Sequence, residues 1–364
     1  MTNKYVILFV FVSLVSFELV AQDHDAAIKK LETQLNELQK KVAELEANKP
    51  DSEATTQNEK KVRIYASLRP TFGRLDDGAD EYWDVKDALS NVGLKSTYEF
   101  ESGWTAILHG EWSVDLSNNG DFGKARQVYV ALDSPYGRIG IGKQRPAQYL
   151  FIAEYVDIFD HGNSPFAYDP ESLFFVDNLL TYQIKLGDVT WILVSQFNGQ
   201  DGNNNSDLIN GGFSYDRDKL HFAITYTRED KYDGQTYDPQ TKLGTDEIYA
   251  GSFAYTFDNN FYAAVGYQAK NYERSGVGRD GHTFDFSIAY AIGPNYKIKS
   301  GVFSFSDGLK GAASLDYTGI NLTLEWLPAS GLRYHIEYLA KNFDEQPDFN
   351  SLSIGFRYDY ASSW

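Results

Sequence analysis

The chain contains no cysteine, and its single methionine is the initiator. Disulfide frameworks and thiolate metal sites are therefore excluded, and an oxidising compartment is compatible with the sequence. Positive charge is scarce, because 33 Lys and Arg stand against 51 Asp and Glu, a formal charge of −18. Affinity for nucleic acid depends mainly on neutralising phosphates, so this balance argues against DNA and RNA as partners. No long apolar run occurs after residue 20, and the mean hydropathy is −0.43, which excludes a helical membrane protein.

Alternation of apolar and polar residues is abundant. Over residues 62–364, segments of about ten residues place apolar side chains at every second position. The last segment shows the pattern best, with one face formed by Leu352, Ile354, Phe356, Tyr358 and Tyr360 and the other by Ser351, Ser353, Gly355, Arg357 and Asp359. In a membrane strand one face meets hydrocarbon and the other meets water. The sequence therefore predicts an all-β protein, a transmembrane antiparallel β-barrel.

Two kinds of connection alternate along this region. Tight turns are predicted at 101–103, 134–137, 187–188, 216–218, 258–260, 293–295 and 328–331. Longer polar loops are predicted at 76–87, 117–123, 145–172, 199–207, 229–244, 271–279, 306–314 and 342–348. Seven turns and eight loops join sixteen strands, so we predict one barrel domain over residues 61–364. Aromatic residues cluster next to the turns, which favours an interfacial girdle over a soluble β-sandwich.

Three short segments precede the predicted barrel. Lys4, an apolar run and Ala21 predict a secretory signal peptide over residues 1–21, with a membrane anchor helix as the alternative. Residues 22–50 are predicted to form a short α-helical coiled coil in the periplasm, with a single amphipathic helix as the alternative, because apolar residues recur with 3-4 spacing at Ile28, Leu31, Leu35, Leu38, Val42 and Leu45. Pro50 ends the helix, and residues 51–60 are predicted to be a flexible linker.

The polar face of the predicted strands is net basic, although the protein is acidic. The pore-lining basic wall is predicted to include Arg69, Lys95, Arg126, Arg138 and Arg333, with Arg63, Lys297, Lys299, Lys341 and Arg357 on the same face. The acidic residues on this face are fewer, namely Glu99, Glu111, Asp285, Glu325 and Glu337. A positive inner wall is therefore expected.

The loop at 145–172 mixes carboxylates with bulky apolar residues. Its acidic residues are Glu154, Asp157, Asp160, Asp169 and Glu171, and its apolar residues run from Phe151 to Phe159. An exposed loop rarely needs so much apolar surface, so we expect this loop to fold onto the inner wall, where Gly140 and Gly142 leave room for its backbone. The expected result is a pore constriction that is acidic on one side and basic on the other.

These features resemble the general diffusion porins of Gram-negative outer membranes. The resemblance rests on the segments 91–95, 124–132 and 136–144 and on the long third loop after the fifth strand, and its strand-and-loop plan covers about residues 61–364. It implies a homotrimer of sixteen-stranded barrels in which loop three narrows each pore. Arginines on early strands then face the carboxylates of loop three, and Arg126 matches one of these arginines in its motif.

The ends of the chain extend this resemblance. Trp364 is similar to the terminal Phe that serves the family as an assembly signal, and Tyr358 and Tyr360 belong to the same terminal strand. The predicted coiled coil resembles the extension of some other trimeric porins. Two departures concern the constriction, since Asn91 stands where the family often has arginine and loop three lacks the usual Pro-Glu-Phe-Gly-Gly cluster.

No catalytic, cofactor or metal site is predicted. The histidines are His24, His109, His161, His221, His282 and His335, and they lack the spacing of metal ligands. An outer-membrane lipase needs a nucleophile, a histidine and an orienting group on adjacent strands, and the nearest candidates are Ser113, Glu111 and His109 on one strand. Oxygen donors alternate over residues 201–207 as in calcium loops, but the central glycine and closing glutamate are missing, which favours a solvated loop.

Three functions remain open from the sequence alone. The first is passive diffusion of small hydrophilic solutes and ions through an outer-membrane channel. Weak cation selectivity is expected, because Glu154, Asp157 and Asp160 would act at the narrowest point, where the field is concentrated. The second is a substrate-specific channel. The third is a structural tether, in which residues 22–50 contact the cell wall and the barrel, surrounded by outer-membrane lipid, is an anchor.

Overall fold

The computed structural model describes residues 60–100, 102–117, 122–160, 173–198, 206–232 and 242–364, together with Thr33 and Lys40. The chain divides into two compact units, Met1–Gln57 and Asn58–Trp364. Thr33 and Lys40 are both helical. The predicted signal peptide, the heptad residues from Ile28 to Leu45, nearly all of the linker, and Asp169 and Glu171 lie outside the described residues. Within the described residues, no helix is both long enough and apolar enough to cross a membrane.

The second unit is built from β-strands. The strand segments are β1 Lys60–Leu68, β2 Pro70–Asp76, β3 Glu81–Asp87, β4 Asn91–Glu99, β5 Thr105–Val114, β6 Phe122–Ser134, β7 Gly137–Gln144, β8 Val176–Leu186, β9 Val189–Gln196, β10 Leu208–Arg217, β11 Leu220–Tyr232, β12 Lys242–Thr256, β13 Tyr262–Arg274, β14 Val277–Ala291, β15 Tyr296–Ser306, β16 Tyr317–Ala329, β17 Leu332–Phe343 and β18 Phe349–Ser363. A π-helical turn, Tyr149–Ala153, and a short helix α1, Glu154–Val156, lie between β7 and β8. A 3-10 turn, Gly311–Ala313, lies between β15 and β16.

The segments form a closed antiparallel barrel of sixteen strands. β1 and β2 are one strand interrupted at Arg69, because both pair with β18. β3 and β4 are likewise one strand, since β3 pairs with β2 and β4 pairs with β1. The ladder between β1 and β18 closes the barrel, and it ends at Val62 and Trp364, which exchange backbone hydrogen bonds of 2.8 and 3.0 Å. Closure leaves no unpaired strand edge, which a barrel in lipid requires. The predicted fold class and strand number are confirmed for the barrel.

The two faces of the strands differ as the alternation predicts. In β18, Leu352, Ile354 and Tyr360 are at least half exposed on the outer face, whereas Ser351 and Ser353 are buried on the inner face. The same division of exposed apolar and buried polar side chains recurs in β11 to β17. The outer surface is therefore apolar and suited to lipid contact.

Two predicted loops are shorter than the sequence suggested. Residues 81–87, predicted to be loop, form β3, and only 77–80 connect it to β2. Residues 271–279 are mostly strand, because β13 and β14 continue to a two-residue turn at Ser275 and Gly276. Both segments are polar, so they resemble loops in composition. Cross-strand contacts, such as the stacking of Phe72 on Trp83 at 5.2 Å, stabilise them as strands.

Candidate functional site: a pore constriction

The first part of loop three, residues 145–160, lies inside the barrel, and we call it the inner loop. Its buried apolar side chains include Phe151, Ile152 and Val156. They pack in one cluster with the inner-face residues Ile192, Val194, Ala223, Ala250, Ala254 and Ala264 of β9 and β11 to β13. Small alanines on the wall leave space for the bulky side chains of the loop. The expectation that this loop packs on the inner wall is confirmed for residues 145–160. Residues 190–196 are apolar on both faces because their inner face meets the loop.

Side chains of the wall also bind the backbone of the inner loop. Ser252 donates a 2.7 Å hydrogen bond to the Phe151 carbonyl. Tyr262 donates to the Tyr155 carbonyl at 2.6 Å, and Ser287 donates to the Val156 carbonyl at 2.6 Å. The last carbonyls of a helical segment lack partners within the helix, so the hydrogen bonds to Tyr155 and Val156 satisfy groups that burial would otherwise penalise. Three different strands thus fix the loop.

A glycine on β15 allows the closest approach of the loop to the wall. A Cβ at Gly301 would lie 2.6 Å from the ring of Phe159, so only glycine accommodates the ring where it lies. The expectation for Gly140 and Gly142 was wrong. The space above Gly140 is filled by Thr181 and Gln144, and a Cβ at Gly142 would meet the neighbouring strand β6. The loop crosses the lumen to the opposite wall, where alanines and Gly301 provide the room.

Asp160 lies at the end of the inner loop in a buried ion network. Its carboxylate accepts a 2.9 Å hydrogen bond from Lys299 Nζ and lies 3.5 Å from Arg333 Nη1. Lys299 and Arg333 also contact Glu325 at 2.6 and 3.0 Å. Burial acts to raise the pKa of Asp160, but the charge of Lys299 and the other interactions of the network outweigh burial and hold the pKa well below its usual range. Asp160 is therefore ionised and electrically compensated.

Asp157 is only three residues away and has a different environment. Among the described residues, its Oδ1 atom is buried without a hydrogen-bond partner. Burial, together with the negative charge of Glu337, raises the pKa of Asp157 to about 7, against the opposing charges of Arg69, Arg145 and Lys299. Burial also raises the pKa of Glu154. Both carboxyl groups are thus less acidic than free Asp and Glu side chains in water.

The inner loop and the basic wall enclose a cavity of about 400 Å³. Five arginines line it, namely Arg69, Arg126, Arg145, Arg333 and Arg357, together with the three carboxylates Glu154, Asp157 and Asp160. Several of these arginines have acidic partners behind the surface. Arg126 Nε donates to Glu111 at 2.7 Å, and Arg357 contacts Asp359 at 2.8 Å. The positive charge that faces the cavity is therefore smaller than the number of arginines suggests.

Arg145 is held mainly by aromatic rings. Its guanidinium lies 4.0 Å from the ring centroid of Tyr149 and 5.1 Å from that of Phe175. Such cation–π contacts orient a guanidinium without neutralising it. Among the ion pairs of the described residues, Arg145 has no carboxylate partner within 4.0 Å. Its charge therefore acts on the cavity.

The structure brings together some of the predicted site residues and separates others. Arg69, Arg126 and Arg333 line the same cavity as Glu154, Asp157 and Asp160. Lys95 and Arg138 do not line this cavity. Lys95 lies opposite His109 on the wall, and Arg138 forms an ion pair with Asp133 near a tight turn. Arg145 was missed as a pore-lining residue because it opens loop three and belongs to no alternating strand. Among the described residues, no cluster of His, Asp or Glu could hold a metal ion.

A family model and several solved structures are similar to this chain, and they agree on the same kind of protein. A family model described as Gram-negative porin matches residues 47–364. Similar solved structures include an anion-selective porin from Comamonas acidovorans, with 14% identity, 83% of this chain and 100% of that chain covered, and a TM-score of 0.67. OmpF of Salmonella typhi in complex with daunomycin has 15% identity, covers 83% and 98%, and has a TM-score of 0.66. The trimer form of in-vitro folded OmpT, an outer membrane protein of Vibrio cholerae, has 18% identity, covers 83% and 100%, and has a TM-score of 0.63. No curated protein sequence matches the chain.

Proposed function

Because the chain belongs to the Gram-negative porin family, we propose that it forms a water-filled outer-membrane channel for passive diffusion of small hydrophilic solutes and ions. The observation that carries this proposal is the polar cavity of about 400 Å³ beside the inner loop of a closed barrel. Charged side chains on opposite sides of such a cavity keep it hydrated and passable for small polar solutes. Family and fold both favour a channel over an enzyme.

We further propose weak cation selectivity that depends on Asp157. Asp160 contributes little net field, because Lys299 and Arg333 compensate its charge. Asp157 has no such ion pair among the described residues, so its ionised form adds negative charge to the cavity beside the inner loop. Nearby arginines oppose this field, which keeps the selectivity weak. Charges at a constriction act strongly because low-dielectric walls concentrate the field there.

A homotrimer with the chain's N-terminal segment in the periplasm completes the proposal. Support for the trimer comes from the trimer form recorded for the similar OmpT structure. Support for the orientation comes from β1, whose first residues pair beside Tyr98 at the barrel end that carries the tight turns. Bacterial barrels keep short turns on the periplasmic side and longer loops outside. A coil over residues 22–50 would therefore lie in the periplasm, and the proposal includes contact of this segment with the cell wall.

Planar-bilayer recording of the purified full-length protein tests this function. The proposal expects stepwise currents that rise in proportion to salt concentration. For a trimer the steps should occur in groups of three. The reversal potential in a salt gradient should show a weak preference for cations. Current that saturates or is blocked by one class of solute would favour a substrate-specific channel. Correctly folded protein that gives no current would leave the structural tether as the better account.

A further inference from the structure

The wall opposite the inner loop is interrupted by a β-bulge that the alternation of the sequence does not show. The pairing of β2 with β3 matches Pro70 with Asp87, whereas the pairing of β1 with β4 matches Ser67 with Asn91. The two registers differ by one residue, so one strand carries one extra residue between Asp87 and Asn91. We call residues 88–90 the wall bulge. Bulges bend a strand and redirect its side chains, and they are common at barrel rims and functional sites.

Local hydrogen bonds hold the wall bulge in place. Ala88 N donates to Arg69 O at 2.8 Å, and Arg69 N donates to the Ser90 hydroxyl at 2.7 Å instead of to a backbone carbonyl. Ser90 N donates to Asp87 Oδ1 at 2.6 Å. Pro70, which has no N–H to offer to the ladder, lies next to this break. Because these hydrogen bonds fix its backbone, the wall bulge is an ordered part of the barrel wall and not a frayed strand end.

Leu89 occupies an unusual backbone conformation within the wall bulge. Its φ is +70°, in the left-handed region that residues with a side chain rarely adopt. Glycine or asparagine is the common choice at such a position. Its carbonyl accepts a 3.1 Å hydrogen bond from Asn91 Nδ2, which stabilises the bulge further. A leucine kept in this conformation indicates that the side chain contributes something that glycine would not.

Leu89 lies where such a contribution affects the pore. Ala88 and Leu89 line the same cavity as Asp157, Ile158 and Phe159 of the inner loop. The inner loop is fixed to the far wall, so the width of the opening depends on what the near wall presents. The near wall otherwise offers long charged side chains, such as Arg69. Leu89 is a compact apolar group on a fixed backbone.

We propose that the wall bulge is the fixed near side of the constriction and that Leu89 sets the size limit of the channel opposite Ile158 and Phe159. This proposal rests on the proposed diffusion function. It assigns size exclusion to a different element from charge selectivity, which depends on Asp157. Large uncharged solutes are then excluded by Leu89, and the preference among small ions is independent of it.

Two substitutions separate the side chain from the backbone. Leu89→Gly removes the side chain and accepts the positive φ, whereas Leu89→Asn also accepts the positive φ but keeps a side chain of similar length. The expected result for Leu89→Gly is a single-channel conductance raised roughly 1.5-fold, since conductance follows the narrowest diameter. Liposome swelling should also become faster with sucrose relative to arabinose. Leu89→Asn should stay near the parent value in both assays.

Further variants and readouts keep the test decisive. Leu89→Trp should change conductance and sucrose uptake in the opposite direction to Leu89→Gly, and heat-modifiable migration in detergent checks that each variant is folded. The reversal potential in a salt gradient should not change in any of them. Unchanged conductance and sugar ratio in folded Leu89→Gly would overturn the inference, as would an equal rise in Leu89→Asn. A parent protein without current would instead contradict the proposed function itself.

Discussion

Two aspartates three residues apart illustrate what a single residue can and cannot reveal in a sequence. Asp157 and Asp160 both follow apolar residues of loop three, and both were expected to act as acidic groups of the constriction. Asp160 meets Lys299 and Arg333, whereas Asp157 Oδ1 is buried without a hydrogen bond from any described residue. The lysine and arginine are more than a hundred residues away in the chain. No local pattern could therefore distinguish the two carboxylates.

The first prediction concerns how the ion selectivity of the channel depends on pH. The pKa of Asp157 is raised to about 7, so lowering the pH from about 8 to about 6 should protonate most of this carboxylate. Cation preference, measured as the reversal potential in a salt gradient, should decrease over this range. The charge of Asp160 should not change, because the pKa of Asp160 lies well below that range.

Variants of the two aspartates provide the control. Asp157→Asn should show the low-pH reversal potential at every pH and lose the dependence. The effect should shrink in high salt, which screens charges over shorter distances than the ~10 Å of dilute buffer. A pH dependence that survives in Asp157→Asn would assign the titration to another group. It would also remove Asp157 from the proposed selectivity mechanism.

At the scale of elements, strands were predicted well and their irregularities were not. Alternation and turn residues predicted sixteen strands. Each strand of a barrel faces lipid on one side, so every second residue is apolar and the strand can be recognised in the sequence. The wall bulge escaped prediction, since a single extra residue at Leu89 shifts the pattern by one position inside a polar stretch. The packing site of the inner loop also escaped, because the complementary alanines are spread over three strands whose sequence separation is large.

The second prediction concerns the contact of the inner loop with β15. A Cβ at position 301 would lie 2.6 Å from the ring of Phe159, so Gly301→Val should push the end of the inner loop away from the wall. Overpacking of this kind costs about 1–3 kcal/mol of stability. We expect noisier single-channel currents and an earlier thermal transition in detergent, because Asp160 would be moved away from Lys299.

Gly251→Val is a matched control for this change. Gly251 is on the outer face of β12, and a Cβ there meets only Ala223 O at an ordinary 3.6 Å. The control therefore adds the same side chain to a strand without touching the loop. If both variants show the same current noise and the same thermal transition, these changes come from adding a valine to a strand. Contact at Gly301 would then not hold the inner loop in place.

At the scale of the whole molecule, we propose two separable roles for the C-terminal residue, Trp364. The backbone of Trp364 extends the closing ladder of β1 and β18 through two hydrogen bonds with Val62. Its side chain is 65% exposed and takes no part in that closure. The resemblance to porins points to the exposed aromatic side chain as an assembly signal, together with Tyr358 and Tyr360 on the same outer face. The backbone should thus matter for stability and the side chain for insertion.

The third prediction separates these two roles by comparing variants of Trp364. Trp364→Phe keeps an aromatic side chain and should reach the outer membrane at the parent level. Trp364→Ala keeps the closing hydrogen bonds, so it should insert poorly in cells yet refold in detergent with a parent-like thermal transition. Deletion of Trp364 removes both, and it should show low yield in the outer membrane and an earlier transition after refolding. Normal outer-membrane yield of Trp364→Ala would contradict this prediction. It would show that the signal for insertion lies in another part of the terminal strand.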